Sequence, residues 1–100
     1  FVLNHHMSSY PLPEHEYTIY TKSKCDYCAR VKEILPTAHV ILCDDYLERD
    51  RDGFRAFMDL VSCNKPRTFP MVFHNGQYIG GYDDSKDYVD KLEAFLFVDF

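Results

Sequence analysis

The sequence contains no tryptophan and only four glycines. It has no apolar run near the roughly 18 residues that a membrane-spanning helix needs, so a membrane partner is excluded. It also lacks a basic stripe. Sixteen acidic residues against eleven basic ones leave a net charge of −5. That balance suits a phosphate backbone poorly, and nucleic acid is excluded as a partner. The opening Phe1-Val2-Leu3-Asn4-His5-His6-Met7 has neither the basic nor the long apolar region of a secretory leader. The expectation is therefore a cytoplasmic protein whose thiols stay reduced. No repeat and no long linker divides the 100 residues, so one domain is expected. Residues 1–16 read as a flexible N-terminal arm and 17–100 as the domain. What is present is ordinary globular material: 46% hydrophobic residues, 27% charged, with eight Phe and eight Tyr to fill a core.

Periodicity gives an order of elements. Tyr17 to Thr21 is rich in β-branched and aromatic residues and reads as a strand. Asp26 to Leu35 reads as a helix, stopped by Pro36. His39 to Cys43 is a short apolar run, expected to be a buried strand. The charged stretch Asp44 to Asp52, with Gly53 after it, reads as a loop. Phe54, Phe57, Met58 and Val61 recur at helical spacing. Met71 to His74 and Gln77 to Ile79 read as a hairpin about Asn75-Gly76. Tyr88, Leu92, Phe95 and Leu96 mark the expected buried face of a last helix. The fold class is α/β, in the order β-α-β-α-β-β-α: a mixed four-stranded sheet flanked by helices.

The chemistry lies in the cysteines: Cys25, Cys28, Cys43 and Cys63. Cys25-Asp26-Tyr27-Cys28 falls where the first strand gives way to the first helix. A helix N-terminus favours negative charge, so Cys25 is expected to hold a thiolate there, helped by Lys22 and Lys24. A thiolate is the species that attacks a disulfide. Cys28, one turn on, is near enough to close a disulfide with Cys25. The competing reading is a zinc knuckle. Fourteen residues separate Cys28 from Cys43, nineteen separate Cys43 from Cys63, and there is no second C-x-x-C. The strand-to-helix context favours redox chemistry. Cys43 reads as a small core hydrophobe, and Cys63 as a residue near a helix end, with an exposed thiol as its alternative.

Three blocks together resemble the glutaredoxin family. Tyr20-Thr21-Lys22-Ser23-Lys24-Cys25-Asp26-Tyr27-Cys28 is similar to the family's active-site segment. Thr68-Phe69-Pro70 is similar to its Thr-Val-Pro, and Gly80-Gly81-Tyr82-Asp83-Asp84 to its Gly-Gly-x-x-Asp. The blocks occur in family order, and the resemblance covers roughly residues 17–97. It implies a thioredoxin-like fold and a dithiol enzyme that carries electrons from glutathione to disulfides. It also implies a glutathione site. Lys22 is assigned the glycyl carboxylate, with Arg67 sharing it. The main chain of Phe69, before an expected cis Pro70, is assigned the cysteinyl part. Tyr27, Thr68, Gly81, Asp83 and Asp84 complete the site, the two aspartates at the γ-glutamyl end, where a plain helix cap is the alternative.

Three departures stand out. Asp26 replaces the family's usual Pro, Phe69 replaces Val, and Asn64-Lys65-Pro66 replaces a Gly-containing turn. The implied partners are glutathione and glutathionylated or disulfide-containing proteins, with ribonucleotide reductase a family candidate, and the protein acting as a monomer. No tightly bound cofactor or metal is expected. The alternative is a carrier of a [2Fe–2S] cluster, held by Cys25 and glutathione, which the loss of the spacer Pro leaves open.

Overall fold

The computed structural model describes residues 10–63 and 68–96. Strand β1 (Tyr17–Thr21) runs through the middle of a four-stranded sheet of order β2-β1-β3-β4. Its β-branched and aromatic residues suit a strand with neighbours on both sides. It pairs parallel with β2 (His39–Leu42), Ile19 opposite Val40, and antiparallel with β3 (Met71–His74), Ile19 opposite Val72. The parallel pair is joined through helix α1 (Asp26–Ile34). Strand β4 (Gln77–Gly80) returns from β3 through Asn75-Gly76, whose φ values of 51° and 84° are the two positive angles a tight hairpin turn requires.

The sheet's alternation sorts the core onto two faces. Ile19 and Val72 face Val31 and Leu35 of the α1 region, with Tyr82 and Val89 of helix α4 (Tyr82–Leu96) packed against them. Tyr20, Met71 and Phe73 face the opposite way, onto Phe54, Phe57 and Met58 of helix α3 (Arg51–Val61). No helix among the described residues is long and apolar enough to cross a membrane.

Four expectations are corrected. First, His39–Cys43 is not a buried strand: β2 is a sheet edge, only Ile41 of it is buried, and Leu42 is 60% exposed. Cys43 belongs to the next turn, as the residue before a helix. Second, Asp44–Asp52 is no loop. It forms helix α2 (Asp44–Arg49) and the start of α3. Asp44 and Asp45 at the beginning and Arg49 at the end complement the helix dipole. Asp50 then caps α3, accepting the Gly53 N–H at 3.2 Å. Gly53 is the residue that lets it: a Cβ there would occupy the space of the Asp50 carboxylate.

Third, α4 buries a different row. Tyr82, Ser85 and Val89 turn toward the sheet, Tyr88 and Leu92 are half-buried, and Phe95 and Leu96 are 66% and 69% exposed. Tyr88 instead shares a 2.5 Å hydrogen bond with Nδ1 of His74. Fourth, residues 10–16 are no loose arm. Tyr10 is buried against Tyr46, Phe54 and Phe57, and Tyr20 donates its hydroxyl to the Pro11 carbonyl at 2.6 Å. The Tyr10 hydroxyl donates to Asp50, and burial together with that carboxylate pushes the phenol up to about 12. Residues 1–9 lie outside the described residues.

Candidate active site

The site grows from the end of β1. The chain leaves the strand at Thr21, and Lys24 adopts φ 54°, a left-handed angle uncommon for a side chain of its size. That turn delivers Cys25 as the residue preceding α1, with extended backbone. The Cys28 N–H donates to Cys25 Sγ at 3.2 Å, so sulfur fills the capping role that a serine or aspartate oxygen would otherwise take. Cys25 and Cys28 are joined by a disulfide, with Cα atoms 5.2 Å apart. Cys25 is half-buried, whereas Cys28 is only 1% exposed. Approach from solvent is therefore to the first sulfur. A helix N-terminus of this kind favours negative charge at the capping position.

A second anchor holds the same turn. The Ser23 N–H donates to Asp44 Oδ1 at 2.9 Å, tying the turn to the beginning of α2. The Ser23 hydrogen bonds hold the Asp44 carboxyl below its ordinary value, and the nearby Lys22 charge works in the same direction.

Beside the disulfide lies a groove of about 280 Å³ lined by Tyr27, Thr68, Phe69, Pro70, Gly81, Tyr82, Asp83 and Asp84. The Phe69–Pro70 peptide bond is cis. Tyr27 connects the groove to the C-x-x-C segment. Its ring stacks on Tyr82, centroids 5.8 Å apart, and carries the Arg30 guanidinium at 5.3 Å. Asp83 and Asp84 sit in the first turn of α4. Gly80, at φ 136°, makes room for the second of them, since any Cβ there would strike the Asp84 side chain. Gly81 faces the Pro70 carbonyl across the groove, with space for ordinary contact.

Of the residues singled out in the sequence, Tyr27, Thr68, Phe69, Pro70, Gly81, Asp83 and Asp84 come together in this groove. Lys22 does not line it; its ammonium lies 5.9 Å from the centre of the Phe69 ring. Arg67 lies outside the described residues. The sequence reading missed Tyr82, and it missed Leu47, Arg51, Phe54, Arg55, Met58 and Met71, which with Phe69 surround a second hollow. Arg51 and Arg55 stand four apart on α3, a spacing visible only once the charged stretch is read as helix.

The four cysteines do not form one tetrahedral set. Two are bonded to each other, Cys43 is sealed in the core, and Cys63 is free and exposed at the end of α3. Burial pushes the Cys43 thiol up to about 12. A thiol so held is a poor nucleophile at neutral pH.

A helix-capping disulfide on a mixed four-stranded sheet, with a cis-proline just before β3, defines a thioredoxin-like protein. Comparison narrows the class: the chain belongs to the glutaredoxin family, whose family model matches residues 17–79. It is 36% identical over 67 residues to Glutaredoxin-C6 of Oryza sativa subsp. japonica, which covers 67% of this chain and 60% of the relative. To Glutaredoxin 3 of Escherichia coli strain K12 it is 36% identical over 67 residues, covering 66% of this chain and 76% of that one. Wheat glutaredoxin superposes with a TM-score of 0.65 at 30% identity, over 82% of this chain and 79% of the wheat chain. A buckwheat glutaredoxin–glutathione complex superposes with a TM-score of 0.56 at 29% identity, over 76% of this chain and 70% of that one. The chain spans 60%, 61% and 59% of the length of three curated plant relatives.

Proposed function

We propose that the chain is a glutathione-dependent thiol–disulfide oxidoreductase, reducing glutathione mixed disulfides and protein disulfides. The observation that carries this reading is the Cys25–Cys28 disulfide at the start of α1, adjoining the groove that Tyr27 shares with Thr68, Phe69, Pro70, Gly81, Asp83 and Asp84. The crystal structure of buckwheat glutaredoxin with glutathione supports glutathione as the occupant.

In this reading the glutathione moiety lies along the groove. The main-chain N–H and C=O of Phe69 pair with its cysteinyl residue. Lys22, with Arg67, attracts the glycyl carboxylate. At the other end, the N–H groups that open α4 take the γ-glutamyl carboxylate, and Asp83 and Asp84 its ammonium. The Cys25 thiolate attacks the glutathione sulfur of a mixed disulfide. A Cys25–glutathione disulfide forms, and the protein sulfur leaves as a thiolate that takes up a proton. A second glutathione thiolate then attacks the bound glutathione sulfur. Glutathione disulfide departs and the Cys25 thiolate returns. For a protein disulfide, Cys28 supplies the second attack instead. The reading places the chain in a reducing compartment such as the cytoplasm, acting as a monomer.

The test is reduction of a glutathionylated peptide, coupled through glutathione reductase to consumption of NADPH. Turnover that depends on Cys25 and saturates with glutathione is expected. Turnover driven by dithiothreitol but not by glutathione would overturn the glutathione dependence.

A further inference from the structure

The groove does not end at Phe69. On the other side of that ring the second hollow opens, about 100 Å³ in volume. Its floor is apolar, made by Leu47, Phe54, Met58 and Met71, and its rim carries Arg51 and Arg55, both exposed. Phe69 is a wall of both hollows, and the Lys22 ammonium stands 5.9 Å from the same ring. Charge is therefore divided along one line. Asp83 and Asp84 stand at one end, and Lys22, Arg51 and Arg55 at the other. Asp44 balances part of the Lys22 charge, so in a chain of net charge −5 it is Arg51 and Arg55 on the rim that offer positive charge to a carboxylate. An apolar floor under a cationic rim fits an occupant with an aliphatic body and a neighbouring negative charge.

We propose that this hollow is a subsite for the polypeptide of a protein disulfide: it takes an aliphatic side chain immediately after the reacting cysteine, with an acidic residue next in line at Arg51 and Arg55. The inference rests on the glutathione reading above, which sets the direction of the bound chain. In glutathione the glycine follows the cysteine, and its carboxylate is assigned to the Lys22 side. A polypeptide whose cysteine lies in the same place carries its next residue past Phe69 into the hollow. Glycine leaves the apolar floor wet, while leucine covers it and releases water.

The redox step balances within the dithiol form. The Cys25 thiolate attacks the substrate cysteine sulfur that sits in the groove. The Cys25–substrate disulfide forms, and the other substrate sulfur leaves as a thiolate. The Cys28 thiolate then attacks Cys25 Sγ. The Cys25–Cys28 disulfide forms, and the substrate cysteine leaves as a thiolate. Two electrons pass from the dithiol to the substrate, and its two thiolates take up the two protons that Cys25 and Cys28 gave up.

The experiment uses the full chain, reduced with dithiothreitol and then freed of it, in single turnover. The substrates are short peptides whose one cysteine is disulfide-bonded to 2-mercaptoethanol, and the residues after it are Leu-Glu, Gly-Glu or Leu-Lys. The Leu-Glu peptide is expected to react faster than each of the others by about tenfold, equivalent to about 1.4 kcal/mol. Reversing both rim charges, Arg51→Glu with Arg55→Glu, is expected to turn the preference toward Leu-Lys. Filling the hollow with Leu47→Trp is expected to erase the preference for Leu-Glu over Gly-Glu. Both arginines are exposed on a helix, so the charge-reversed protein keeps the test open if the Leu47 variant fails to fold. Equal rates on all three peptides, or a charge preference untouched by the double reversal, would overturn the subsite and leave the oxidoreductase reading standing. Failure to reduce any peptide would overturn that reading as well.

Discussion

The main-chain N–H of Cys28 points at the sulfur of Cys25, 3.2 Å away, so each half of the disulfide is placed by the same first turn of α1. The two sulfurs are nonetheless unequal. Cys25 is reached from solvent and stands where the helix dipole is felt most, while Cys28 is enclosed.

That inequality gives the first prediction. In the reduced protein Cys25 is expected to react with iodoacetamide well before Cys28, as mass spectrometry of the digested protein would show. Cys25→Ser should abolish both deglutathionylation and protein-disulfide reduction. Cys28→Ser should retain the first and lose most of the second, because only the second needs an internal resolving thiol. Cys43→Ser and Cys63→Ser should leave both rates close to wild type. Near-normal deglutathionylation by the Cys25→Ser protein would contradict this assignment.

Lys22 tests the glycyl end of the groove. A charge-assisted hydrogen bond to a carboxylate contributes about 1.5–3 kcal/mol where well formed. Lys22→Gln is therefore expected to raise KM for a glutathionylated peptide by about tenfold or more at low ionic strength, with the fold retained. Equal KM values for the two proteins would reduce Lys22 to a solvated charge.

Asp44 predicts a dependence on pH. Its carboxyl is held low by Ser23 and Lys22, so its anionic form favours the folded state. That contribution is present above the unfolded aspartate value of about 3.9 and is lost as pH falls through the lower folded one. Thermal melts of wild type and Asp44→Asn should therefore differ at pH 7 and converge in strong acid. A gap that persists unchanged at the acid end would refute the linkage.

Gly80 and Gly81 form an internal control for stability. At φ 136°, with the Asp84 side chain in the way, Gly80→Ala is expected to cost about 1–3 kcal/mol. For a domain this size each kcal/mol lowers Tm by about 4–8 °C. A Cβ at Gly81 meets only the Pro70 carbonyl at 3.6 Å, so Gly81→Ala should move Tm far less. Equal shifts in calorimetry would show that the bend at Gly80 is not needed.

Elements whose local chemistry and final surroundings agree were legible in the sequence. Asn75-Gly76 demanded a tight hairpin, and Tyr17–Thr21 became the central strand. The misreadings arose where partners far along the chain decide. Asp44–Asp52 has helical ends and a cap, but its charges disguise them as loop. Val40 and Leu42 look like core residues, yet β2 is the sheet's edge. Phe95 and Leu96 have the right spacing for burial, but the sheet is already covered by Tyr82 and Val89 from the same helix. The arginines around the second hollow carry no motif at all. Only the packing of α3 beside Phe69 brings them to the site.

Tyr10 closes a small knot: its hydroxyl meets Asp50, the same carboxylate that caps α3 through Gly53, and its ring fills a slot between Tyr46, Phe54 and Phe57. For anyone trimming the chain, that knot is a boundary marker. A fragment begun at Tyr17, where the family match starts, keeps every groove residue yet leaves a ring-sized hole beneath the helix that bears Arg51 and Arg55. The shortest faithful version of this protein therefore begins no later than Tyr10.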